Sequence, residues 1–172
     1  MQSLLTFLLA YALLCALGFI IMSNLYDVGT VRSLPNVKYR WLYYVLQFTW
    51  GLPFNLLGVC LAAILYCFGK KPYKYGWNYC FECNVNFGLD LGIFFIAPCN
   101  GSTHTKNHEH GHAIQNIYFG PLCIGMVAIP SMIRFWVRSI ASKIGRPPET
   151  NYDDVWFEGQ ATKTGTQFID DL

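Results

Sequence analysis

A span of nine residues holds all four histidines of this chain: His104, His108, His110 and His112. Within it, His108, Glu109 and His112 spell H-E-x-x-H. On a helix, side chains four positions apart share a face, so His108 and His112 can present two imidazoles to one metal ion. Glu109, one residue on, is placed to handle the proton of a water activated there. The pattern points to metal-assisted hydrolysis with one Zn2+ ion as cofactor, against the plainer alternative of a histidine-rich surface turn that holds no metal.

A catalytic zinc site needs a third protein ligand and one open position. His110 points away from the His108–His112 face of the helix, and His104 lies upstream in a loop. The remaining donors are Cys99, Cys123, Glu82, Glu149 and Glu158. Glu149 follows two prolines, Glu82 stands between Cys80 and Cys83 in a strand-like stretch, and Glu158 lies in a helix-like stretch downstream. The single C-x-x-C at Cys80 and Cys83, with Cys99, offers a second metal site or a disulfide. Residues three apart on a strand face opposite sides, however, so packing is the better reading of that pair.

His108-Glu109-His110-Gly111-His112, followed by a glutamate-bearing helix, resembles the arrangement of the gluzincin clan of zinc metallopeptidases. That resemblance implies Glu158 as the third ligand, in an E-x-x-x-D pattern in which Thr162 stands at the Asp position. It implies for Thr162 the orienting of a ligand histidine. It also implies that residues 89–96, through Leu89, Leu91 and Gly92, form an edge strand able to pair with an extended substrate. His104, His110 and Tyr152 are the candidates for stabilising the transition state, and nothing in the sequence selects among them. The C-terminal half is also similar to small bacterial and phage membrane proteins with an H-E-x-G-H-x-x-Q helix, here residues 108–115. Gly120-Pro121-Leu122, Ile129-Pro130-Ser131 and residues 156–158 carry the rest of that similarity.

The elements that must position these residues are unusually apolar. Of the 172 residues, 53 % are hydrophobic and only 13 % charged, against about 25 % charged in an ordinary soluble chain. The formal charge of +2 is too small and scattered to suggest a nucleic-acid partner. Residues 4–22 are apolar and uncharged, long enough to span a bilayer, and no basic residue precedes them as a signal peptide would require. Residues 41–68 form a second such run, with a kink expected at Gly51-Leu52-Pro53. Gln47 and Asn55 within it read as satisfying each other or the backbone freed near Pro53, in preference to a transport path.

Alternation over residues 84–87 and 89–96, with Gly88 between them, predicts one or two short strands or a short β hairpin. A helix starts near Thr105 or Asn107 and stops at Gly120-Pro121. Residues 119–138 carry too short an uncharged run to span comfortably, and read as re-entrant or interfacial. The chain therefore reads as a mainly α integral membrane protein. Two N-terminal transmembrane helices lie within residues 1–70. A zincin-like region over 71–172 then holds the hairpin, the H-E-x-x-H helix and a C-terminal helix.

The expected function is zinc-dependent hydrolysis, of a peptide or membrane-protein substrate, at the surface of the cell membrane, with the lipid bilayer as partner. The alternative is a non-catalytic membrane scaffold whose structural metal takes a fourth ligand from His104, Cys99 or Cys123. A single full span between His112 and Glu158 would separate the ligands, so the zinc reading requires them on one side.

Overall fold

The computed structural model describes residues 2–172. The protein is mainly helical, with a small mixed sheet in the middle of the chain. Helix α1, Gln2–Asp27, follows from a run that contains no proline and no charge before Asp27. It is long and apolar enough to cross a membrane.

The second apolar run is interrupted where a kink is expected, at Gly51-Leu52-Pro53, and more sharply than a kink. It breaks into α2 (Arg40–Phe48) and α3 (Leu52–Cys67), bent by 91°. Gly51 caps α3, and Pro53 sits in its first turn, where its missing N–H costs nothing. The pair makes a third candidate span only if it is counted as one. The other helix long and apolar enough is Ile124–Lys143, well beyond the N-terminal region. It begins as a π-helical turn, Ile124–Ala128, and continues as α5, Ile129–Lys143.

The bend also corrects the reading of Gln47 and Asn55. They do not satisfy each other. Gln47 Nε2 donates to the Ala113 carbonyl at 2.9 Å, and Asn55 Oδ1 accepts from the Ile93 N–H at 2.9 Å.

Four strands replace the simple hairpin: β1 (Tyr73–Tyr75), β2 (Asn78–Cys83), β3 (Leu89–Leu91) and β4 (Phe94–Pro98), in the order β1-β2-β4-β3. β3 and β4 do form a hairpin, paired Leu89 to Ile96 and Leu91 to Phe94, but it turns at Gly92, φ +80°, inside the stretch expected to be one strand, and not at Gly88. Residues 84–88 are not strand. β2 instead runs parallel to β4, with Cys80 opposite Phe95 and Cys83 opposite Pro98. Cys80 packs with Phe95 and Ala97, whereas Cys83 packs with Phe81 and Ile96, so the two thiols lie on opposite sheet faces. α3 covers the second of these faces through Leu61, Ala62 and Leu65.

Helix α4, Thr103–Phe119, starts earlier than the sequence suggests because Ser102 caps it, its Oγ accepting the Thr105 N–H at 3.2 Å. It ends at Gly120, whose φ is +54°. Helix α6, Trp156–Asp170, follows a short 3-10 turn at Tyr152–Asp154. The chain forms two compact units. One is the chain up to Arg32 with Leu122–Gly159; the other is Ser33–Pro121 with Gln160–Leu172. The division falls inside α6, which is one uninterrupted helix.

Candidate metal site

A helix buried on every side is normally apolar. α4 breaks that rule, because every residue from Asn107 to Ile117 is buried. Among them are His108, Glu109, His110, His112, Gln115 and Asn116. Buried polar groups cost free energy unless they find partners, so each needs a specific counterpart.

Two glycines let α6 supply counterparts. A Cβ at Gly111 would overlap the Ala161 carbonyl, and a Cβ at Gly165 would overlap the Asn107 carbonyl. The helices thus touch backbone to backbone. Four residues forward on α4 correspond to four residues back on α6, so they run antiparallel. This register sets Thr162 against His108, with His108 Nδ1 2.7 Å from Thr162 Oγ1. Glu158 stands four residues before Thr162, on the same face of α6.

His112 Nδ1 lies 2.7 Å from Gln115 Oε1, and Gln115 Nε2 donates to Gln160 Oε1 at 3.0 Å. An amide oxygen only accepts, so Nδ1 of His112 carries the proton and its Nε2 presents a lone pair. That Nε2 is 3.1 Å from His108 Nε2. When Thr162 accepts from His108 Nδ1 in the same way, two lone pairs converge, an arrangement that a cation relieves. Ligand atoms of His108, His112 and Glu158 all lie within 4.8 Å of one another, and all three residues are buried. The Glu158 carboxylate has no exposed surface. A buried carboxylate facing two imidazole nitrogens fits a divalent cation, and this trio could hold one. It is the one such group among the described residues.

Glu109 is buried beside the turn that leads into β3. A Cβ at Gly88 would overlap its carboxylate oxygen, so Gly88 leaves the room that the carboxylate fills. β3 is an edge strand of the sheet, with Leu89 exposed, Leu91 half-buried and Asp90 buried between them. Burial pushes the Asp90 carboxyl well above its ordinary range, with His112 opposing and Glu109 adding to the rise. The Gly92 N–H donates to Asp90 Oδ2 at 3.1 Å.

The other sequence candidates lie elsewhere. His104 is exposed on the first turn of α4. His110 is fully buried, stacked on Phe168 at 4.6 Å, with its Nε2 accepting from the Trp77 N–H at 3.3 Å. Burial pushes its pKa down to about 3. Tyr152 lies under the guanidinium groups of Arg134 and Arg138, at 5.5 and 5.6 Å. Glu82 is paired with Lys106 at 2.8 Å, Glu149 is exposed, and Cys99 and Cys123 are not part of the ligand trio.

Gln160, Gly165 and Asp90 escape a sequence reading. Gln160 and Gly165 follow Glu158 at positions that matter only once α6 meets α4. Asp90 carries no spacing signal at all. No family model matches the chain, and no curated protein or solved structure matches it either.

Proposed function

We propose that the protein is a zinc-dependent hydrolase anchored in a membrane and acting on a peptide bond at its surface. The observation that carries this reading is the convergence of buried His108 and His112 of α4, flanking Glu109 in sequence, with buried Glu158 of α6. A zinc ion bound by the three ligands would supply Lewis-acid activation of water and of a scissile carbonyl.

The chain's own residues have distinct parts in this chemistry. Gln115 and Thr162 hold the two imidazole rings with their Nε2 atoms inward. The Glu109 carboxylate takes a proton from the attacking water and passes it to the leaving amine. Leu89 and Leu91, on the edge strand, line up an extended substrate by main-chain pairing. A set of three protein ligands would leave a position for water on a four-coordinate zinc, which supports turnover over a purely structural metal. The apolar α1 supports the membrane placement.

Zinc content and peptide hydrolysis of the purified wild type, His112→Ala, Glu158→Ala and Glu109→Gln test the reading together. Zinc is expected at one ion per chain in the wild type and Glu109→Gln, and lost in the other two. Hydrolysis is expected in the wild type alone. Equal zinc in all four proteins would end the metal assignment. Bound zinc without hydrolysis in the wild type would leave a structural site.

A further inference from the structure

Helix α5 is amphipathic along its whole length and buries none of its residues. Ile129, Met132, Ile133, Trp136, Val137, Ile140 and the adjoining Ile144 are all exposed, at the three- and four-residue spacing of a single helical stripe. Length and composition alone would let Ile124–Lys143 cross a bilayer. Two observations oppose that.

The first is what the opposite face of α5 holds. Arg134 donates to the carbonyls of Tyr152 and Asn151, at 3.2 and 2.7 Å. Arg138 donates to the Thr150 carbonyl at 2.8 Å and to its hydroxyl at 3.2 Å. These arginines occupy the middle of α5, and they pin a loop alongside it whose Thr150, Asn151 and Asp154 are exposed. A spanning α5 would carry that irregular polar backbone and its carboxylates into the hydrocarbon, where neither finds water.

The second is depth. The π-helical turn before α5 rests on α1, with Gly125 against Cys15 and Gly18 against Met126. The apolar run of α1 ends at Met22, before Ser23 and Asn24. At a helical rise of about 1.5 Å per residue, Gly18 and Cys15 lie roughly 6 and 10 Å below that end. Interfacial helices bury their apolar face to a depth of about 5–10 Å.

We propose that α5 lies in the plane of the lipid headgroups, its apolar stripe turned toward the acyl chains. Lys143 and Arg146, both exposed and with no acidic residue between them and Ile129, reach the lipid phosphates. The placement rests on α1 crossing the bilayer, and it is independent of any chemistry at α4.

Labels at three points along the stripe test it. Met132→Cys, Trp136→Cys and Ile140→Cys, each made with the exposed Cys60, Cys67 and Cys99 replaced by serine, would carry an environment-sensitive fluorophore in phosphatidylcholine vesicles. Quenchers attached near the headgroup and near the acyl-chain end report depth. An in-plane helix gives stronger shallow than deep quenching at all three sites, with ratios within about twofold of each other. A spanning helix changes depth by about 12 Å over those eight residues and reverses the ratio between the ends, which would overturn the proposal. Absence of lipid quenching at every site would overturn it equally, because a protein partner or a second copy would then cover the stripe. The substituted side chains are all exposed, so folding should survive, and circular dichroism checks that it does.

Discussion

Gly111 and Ala161 meet so closely that a single added methyl group on Gly111 would overlap the Ala161 carbonyl. This contact fixes the distance between α4 and α6, and with it the distance between the histidines and the face of α6 that bears Thr162 and Glu158. Gly111→Ala must therefore push the helices apart. We expect a stability loss of about 1–3 kcal/mol from overpacking, with loss of bound zinc. Gly165→Ala, which would strike the Asn107 carbonyl, should do the same. Thermal unfolding and metal analysis in detergent would read both effects. An unchanged metal content in both variants would contradict this account.

Gln115 and Thr162 touch the His112 and His108 imidazoles at Nδ1, on the side away from the facing Nε2 atoms. Removing either partner leaves the ligands themselves in place but frees a ring to turn. Thr162→Val and Gln115→Leu should each weaken zinc binding by about 10–100-fold. Competition with a chelator of known affinity measures this. Thr162→Ser, which keeps the hydroxyl, should stay within a few-fold of wild type.

His110 sets an acid limit on the fold. Burial holds its pKa at about 3 in the folded protein, whereas an unfolded chain titrates near about 6.5. Between those values the unfolded state binds the extra proton and the folded state does not. Stability is therefore lost as pH falls from about 6.5 toward about 3, and is present in full above that window. His110→Gln removes the titration and keeps an acceptor for the Trp77 N–H. Unfolding midpoints against pH, measured with excess chelator so that ligand release does not contribute, should show a flatter acid limb in the variant.

Asn116 joins α4 to the break between α2 and α3. Its Nδ2 donates to Gln47 Oε1 at 2.8 Å and to the Gly51 carbonyl at 3.1 Å, in a region with no exposed surface at Gln47 or Asn116. Asn116→Ala removes the donor to Gln47 Oε1, while the Gly51 carbonyl keeps the Asn55 N–H at 3.1 Å, and should cost about 1–3 kcal/mol. Zinc stoichiometry should stay unchanged, because Asn116 is not one of the three candidate ligands. Denaturant unfolding followed by metal analysis separates the two effects.

Metal removal should itself destabilise the fold. Without a cation, the Glu158 carboxylate and two converging imidazole nitrogens share a buried space. A ligand present at about 100 times its dissociation constant stabilises by about 2.7 kcal/mol. Chelation should lower the melting temperature, and added zinc should restore it. In Glu158→Ala both responses should shrink.

Much of the site is legible in the sequence because its parts are local. His108, Glu109 and His112 owe their common placement to helical periodicity, and Thr162 follows Glu158 by the same four-residue rule. The break at Gly51-Leu52-Pro53 is local too, since Pro53 is accommodated in the first turn of a new helix. The size of the bend is not. The 91° angle reflects where Gln47 and Asn55 find partners on α4 and the β3–β4 hairpin, and where Asn116 of α4 reaches Gln47 and Gly51. The parallel pairing of β2 with β4 is equally nonlocal, because the alternation of each strand leaves open which neighbour it joins.

The sequence by itself determined the two candidate ligand histidines, the carboxylate beside them and the apolar character of α1, because each depends on residue type and short-range spacing. Only the tertiary structure decided that Glu158, and not Glu82, Glu149 or a cysteine, comes to the histidines. The physical reason is steric. Gly111 and Gly165 carry no side chain to hold α4 and α6 apart, and which backbone fills the space they leave is a property of the folded chain.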